Sequence, residues 1–188
     1  MQNFFRLFVF LFLLSFAAQA QNMPAPKPKK TRILFLLDGS GSMNAKWENS
    51  VRMTVAKGLL SKMVDSLKTH KNLEMALRVY GHQYPAQDKN CFDTKREVMF
   101  SKDNLTQMML PLESLHPMGV SPIAYSLKEA AETELIDNLR YNYSLILITD
   151  GGESCGGNIC DVVKTLLDKK INFKPYIVSL VDYAPLQD

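Results

Sequence analysis

The stretch "ILFLLDGSGSMN", residues 33–44, carries five large apolar residues straight into Asp38, Gly39, Ser40, Gly41 and Ser42. A continuous apolar run, rather than an alternating one, marks a strand buried on both faces. A turn after such a strand needs Gly or Asn; it does not need oxygens at alternating positions. In an extended segment alternate side chains share a face, so Asp38, Ser40 and Ser42 can converge on one point. The glycines between them let the backbone bend closely around it. Hard divalent cations take oxygen ligands, and Mg²⁺ keeps several waters, so one carboxylate and two hydroxyls suit a partial shell of that ion.

Working outward, "LILI" (145–148) is another continuous run, and "YIVSLV" (176–181) resembles it, so both are expected as buried strands. "LEMALRVY" (73–80) alternates and is expected to be less deeply buried. Helical spacing links Val51, Val55, Leu59, Met63 and Leu67, supported by Leu60 and Val64. It also links Ile123, Leu127, Ala130, Glu134 and Leu135, and again Ile159, Val163, Leu166 and Leu167. Residues 104–115 are helix-like, with Pro111 expected to bend or end the helix. Strands alternating with helices predict an α/β fold: a doubly wound, mostly parallel sheet with helices on both faces. Such sheets bind ligands outside the carboxyl ends of their strands, which is where Asp38 falls.

Two more stretches place oxygens at that end. "LILITDGGES" finishes a strand in Thr149 and Asp150, and "HPMGVSPIAYSL" sets Ser121 before Pro122 at the start of a helical pattern. Alone, Ser121 reads as an ordinary N-cap and Asp150 as a turn residue. Together with residues 38–42 they make a set of five: Asp38, Ser40, Ser42, Ser121 and Asp150.

"DGSGS", "GVSPIAYSL" and "ITDGGES" together resemble the von Willebrand factor A (VWA) domain and its metal-ion-dependent adhesion site, over residues 31–181. "RVYGH", "CFDT" and "DGGESCGGNIC" further resemble a bacterial secreted branch of that family. The resemblance implies a Rossmann-like fold and a Mg²⁺ site, with Mn²⁺ or Ca²⁺ as alternatives. Ser40 and Ser42 would bind the ion directly, and Asp38 and Asp150 through waters. Ser121 stands where the family usually has Thr, keeping the hydroxyl but losing the methyl that stiffens the rotamer. The implied activity is binding, not turnover: a partner protein's Asp or Glu completes the metal shell. The family also adds a last helix and strand after the position of Val181, so residues 31–188 are expected to form a VWA-like domain lacking them: either a piece of a longer chain, the favoured reading, or a domain whose sheet keeps an unprotected edge.

Two rivals remain. A strand-ending Asp also begins haloacid-dehalogenase-type Mg²⁺-dependent phosphatases, but their second Asp two residues on is here Ser40. A metal-independent structural scaffold is the other. A phosphate-binding Gly-Lys-Ser/Thr is absent, and Ser40, with glycines directly on both sides, does not sit in a Gly-x-Ser-x-Gly elbow. His70, His82 and His116 form no metal-ligand pattern in the sequence, although His82 follows a strand and borders the expected site.

The first 20 residues have Arg6 near the start, an apolar stretch from Leu7 to Phe16 and "AQA" ending at Ala20. That is the layout of a signal peptide, too short in its apolar part to span a membrane. The protein is therefore expected to be secreted, periplasmic or held in the cell envelope, with no membrane span after cleavage. Residues 21–30, with "KPKK" and Pro-rich spacing, read as a solvated tether. The formal net charge of +3 is too small for a nucleic-acid footprint.

Three cysteines in an exported chain make at least one disulfide expected. Cys155 and Cys160 could close a small ring after Asp150, or Cys91 could join one of them and tie two loops. The resembled bacterial branch carries a further Cys in its final helix. That favours Cys155–Cys160, with Cys91 pairing further along a full-length chain.

Overall fold

The computed structural model describes residues 29–181 except 138, 169, 170 and 172. The signal-peptide reading of residues 1–20, most of the tether and residues 182–188 lie outside the described residues. In chain order the elements are β1 (Lys30–Asp38), β2 (Lys46–Trp47), β3 (Ser50–Val51), α1 (Arg52–Leu67), β4 (Leu73–Tyr80), β5 (Thr94–Ser101), α2 (Leu105–Ser114), α3 (Ile123–Thr133), β6 (Tyr141–Thr149), α4 (Ile159–Asp168) and β7 (Phe173–Ser179). Strands β2 and β3 form a two-stranded ribbon. The others make one sheet in the order β5-β4-β1-β6-β7, parallel throughout except for β5, which runs antiparallel to β4.

β1 lies at the centre, and its continuous apolar run serves two cores because side chains alternate between faces. Ile33, Phe35 and Leu37 face α1 and α2, packing with Met53, Ala56, Leu60, Met108 and Leu112. Leu34 and Leu36 face α3 and α4, with Ile123, Leu127, Ala130 and Leu166. Helices on both faces of a mostly parallel sheet are the doubly wound architecture expected. The buried stripe of α1 is Met53, Ala56, Leu60 and Val64; Val55, Met63 and Leu67 flank it. Pro111 does not end α2, which continues to Ser114.

Two expectations about burial are corrected. β4 is buried at all eight positions despite its alternating polarity. It sits between β1 and β5, and its polar side chains are neutralised: Glu74 by Arg32 and Lys30, Arg78 by Glu134. β7 is the reverse: it lies at the edge of the sheet formed by the described residues, with Tyr176 and Ile177 exposed. Pro175 inside it fits an edge, because proline has no N–H to donate to a second neighbour. No helix among the described residues is long and apolar enough to cross a membrane.

Candidate functional site

The register of the sheet builds the site. β1 and β6 pair Leu37 with Ile148, so the next residues, Asp38 and Thr149, emerge side by side at the carboxyl ends of their strands. The Thr149 hydroxyl donates to Asp38 Oδ2 at 2.7 Å, and the Ser40 backbone N–H donates to Asp38 Oδ1 at 2.9 Å. Asp38 is fully buried. Burial pushes its carboxyl above the usual range, hydrogen bonding from Ser40 and Thr149 partly offsets this, and the charge of Asp150 adds to the rise.

From Asp38 a string of oxygens leads to the second acid. Ser40 Oγ lies 3.0 Å from Ser42 Oγ, and Ser42 Oγ donates to Asp150 Oδ1 at 2.8 Å. Asp150 Oδ2 accepts from Arg52 Nη1 at 2.7 Å, an ion pair in which the Asp150 side chain has no exposure. Four of the five predicted residues therefore lie in one local network.

Ser121 reaches the same end of the sheet through its loop. The Gly41 N–H donates to Gly119 O, the Met118 N–H to Gly39 O, and the Gly119 N–H to Gly81 O. Gly81 has φ +69°, and a Cβ there would lie 2.3 Å from Val120 O, so only glycine lets the Ser121 loop sit this close to Ser40. The Ser121 side chain does not cap α3. Glu153 takes that role, accepting from the Ala124 N–H at 2.7 Å, while Ser154 Oγ accepts from the Ser121 N–H. Ser121 is buried, and among the described residues no hydrogen bond joins its hydroxyl to the other four.

Arg52, Thr149, Glu153 and Ser154 also contribute to the site, beyond the five expected residues. Thr149 was visible in the Thr-Asp-Gly stretch. Arg52 lies 98 residues from its partner and carries no local signal. His82 borders the site without joining it. Its Nε2 lies 2.9 Å from Glu97 Oε1, and its Cβ would stand 2.7 Å from any Cβ added to Gly39.

The disulfide differs from the favoured pairing. Cys91 is bonded to Cys155, and Cys160 is a free, exposed thiol. Cys160 lies in the first turn of α4, and Gly156, at φ +74°, redirects the chain between the two cysteines. Nearness in sequence thus gives way to the two loops meeting: the bond ties the loop after β4 to the loop that follows Asp150.

The donor set fits a hard divalent cation. Two buried carboxylates and neighbouring hydroxyls are all oxygen, and the Arg52 guanidinium on Asp150 already stands as a cation there. Among the described residues no group of three or more His, Cys, Asp or Glu side chains is placed to hold a metal ion; here the carboxylates are two, and the other oxygens are hydroxyls.

The model of the von Willebrand factor type A domain family matches residues 33–187, and the chain belongs to that family. It is 28% identical to the uncharacterized protein YwmC of Bacillus subtilis, over 71% of this chain and 60% of that protein. It is 30% identical to YwmD of the same organism, over 81% of this chain and 68% of that protein. The match thus spans about three-fifths to two-thirds of those relatives. Among solved structures, it is similar to a von Willebrand factor type A protein from Catenulispora acidiphila (TM-score 0.58, 15% identity, 80% of this chain and 33% of that one). It is also similar to the pilus adhesin SpaC of Lactobacillus rhamnosus GG in its open conformation (TM-score 0.53, 19% identity, 68% of this chain and 15% of that one). At such identities these likenesses concern the fold.

Proposed function

We propose that this chain is an exported, metal-dependent protein-binding module, working at the cell envelope or beyond it. The observation that carries this reading is the network Asp38–Ser40–Ser42–Asp150 at the carboxyl ends of β1 and β6, with the Ser121 loop packed against it. Asp38, Ser40, Ser42, Ser121 and Asp150 would hold the ion, Mg²⁺ first and Mn²⁺ or Ca²⁺ as alternatives. When bound, the ion supplies an electrophilic position that accepts an Asp or Glu side chain of a partner protein.

The chain's own residues prepare that position. Asp38 is oriented by the Ser40 N–H and the Thr149 hydroxyl. The hydroxyl pair is oriented through Asp150, and the Gly41–Gly119 and Gly39–Met118 bonds fix the Ser121 loop. Similarity to SpaC, which is described as a pilus adhesin, supports a binding role, and the signal-peptide reading of residues 1–20 supports export. The phosphatase reading fares worse. Both oxygens of Asp38 already accept hydrogen bonds, and Ser40 pairs with another hydroxyl rather than with a base.

Calorimetry with Mg²⁺ and Mn²⁺ tests the site: the parent should bind, and Asp38→Asn should lose most of the affinity while remaining folded. Equal binding by parent and variant would reject the assignment. For the partner, captured protein should be released by chelator and lost with Ser40→Ala. Capture indifferent to both would leave a scaffold, and turnover of a phosphate ester with Mg²⁺ would restore the enzyme reading.

A further inference from the structure

We propose that Arg52 is a resident competitor for the divalent ion: its guanidinium neutralises Asp150 when no metal is bound and must yield that carboxylate when one is. The inference rests on the metal reading above and concerns a residue outside the five expected ligands.

Asp38 and Asp150 place two buried carboxylates in one network. Among the ion pairs of the described residues, Arg52 alone reaches either of them. Without it, Asp150 would be a fully enclosed anion beside a second acid, which is costly unless a cation compensates.

The placement of Arg52 is otherwise unfavourable. It is the first residue of α1, following the β2–β3 ribbon, with its N–H bonded to Ala45 O. The amino end of a helix carries partial positive charge, so a basic residue there is on the wrong end for helix stability. Its contact with Asp150 is a single Nη1 bond, not the two-pronged grip a guanidinium can make. Its Nε is buried with no hydrogen-bond partner. About a quarter of the side chain is exposed, so solvent lies close by. Arg52 is thus strongly placed by charge, poorly satisfied by hydrogen bonding and near an exit. Those features suit a cation that can be displaced.

Two consequences follow with opposite signs. Arg52 stabilises the metal-free fold, and the same charge lowers affinity for the ion. Arg52→Gln keeps length and polarity but removes the charge. By calorimetry it should bind Mg²⁺ or Mn²⁺ at least about tenfold more tightly than the parent, because a unit charge next to a divalent ion is removed from a partly buried site. In chelator it should melt below the parent, and added Mg²⁺ should raise its melting temperature by more than it raises the parent's. Arg52→Lys should follow the parent in both measurements. If the parent binds the ion and Arg52→Gln binds equally or more weakly, the competition is refuted while the metal site stands. If neither protein binds Mg²⁺ or Mn²⁺, both readings fall. Binding by Arg52→Gln alone would support the competition in its strongest form.

Discussion

The Thr149 hydroxyl lies 2.7 Å from Asp38 Oδ2, joining residues 111 apart in sequence at the ends of two adjacent parallel strands. The bond is buried, and its acceptor is a carboxylate that burial already disfavours as an anion. Thr149→Val keeps the shape and removes the donor. It should cost about 1.5–3 kcal/mol in urea denaturation at neutral pH, the range for a hydrogen bond to a charged group. Thr149→Ser should recover most of the loss. A Val variant as stable as the parent would show that Ser40 alone suffices to hold Asp38.

The Cys91–Cys155 bond makes a second prediction. Its sequence separation of 64 means that it closes a long loop, so constraint of the unfolded chain stabilises the protein by about 4 kcal/mol in the chain-entropy account. Reductant, or Cys91→Ala with Cys155→Ala, should lower the denaturation midpoint accordingly. Peptide mapping without reduction should join the Cys91 peptide to the one containing Cys155, with Cys160 alkylated. A Cys155–Cys160 ring in that map would overturn the pairing.

Much of the architecture was legible because it rests on local apolar pattern. The runs at 33–37 and 145–148 are central strands, and the oxygens after them do gather at one end. What escaped were relations set by neighbours in space. β4 reads as half-polar, yet its alternate positions are buried because Glu74 and Arg78 find partners on β1 and just beyond α3. The run at 176–181 looks like a core strand, yet β7 has only β6 beside it in the described sheet. The α1 pattern centres on positions 51, 55, 59, 63 and 67 with Leu60 and Val64 in support; the sheet takes Leu60 and Val64 with Met53 and Ala56 as its buried stripe, and Val55, Met63 and Leu67 pack beside it. Arg52 and Glu153 are charged residues in unremarkable contexts, and only the folded loops give them Asp150 and the α3 amino terminus.

The partner of Arg78 is the subject of a third prediction. Its Nε and Nη2 donate to the two oxygens of Glu134 at 2.9 and 2.7 Å, with both side chains almost wholly enclosed. Removing one member strands the other charge, so Glu134→Leu should cost about 3–5 kcal/mol. Arg78→Met together with Glu134→Leu should regain most of that, because no unpaired charge remains. A double-mutant cycle in urea decides it. Additive losses would mean that the two side chains do not act as a unit.

The last prediction concerns pH and Glu74. Burial alone would raise its carboxyl, but hydrogen bonds from Arg32 and then Lys30 outweigh this and hold it below its ordinary value of 4.5. Arg32 Nε lies 2.8 Å from Glu74 Oε2, and its guanidinium stacks 3.4 Å from the Tyr141 ring centroid, which keeps the donor in place. The Lys30 side chain is 44% exposed against 18% for Arg32, so solvent screening leaves most of the effect with Arg32. A carboxyl depressed by folding stabilises the protein above its unfolded value, and that contribution disappears as pH falls through the lower folded value. Glu74→Gln should therefore be less stable than the parent by roughly 1 kcal/mol near neutral pH. The gap should narrow once the pH drops below 4.5 and close in stronger acid. Urea midpoints for both proteins across that range provide the measurement. A gap that stays constant into acid would mean that Glu74 contributes by packing rather than by its charge.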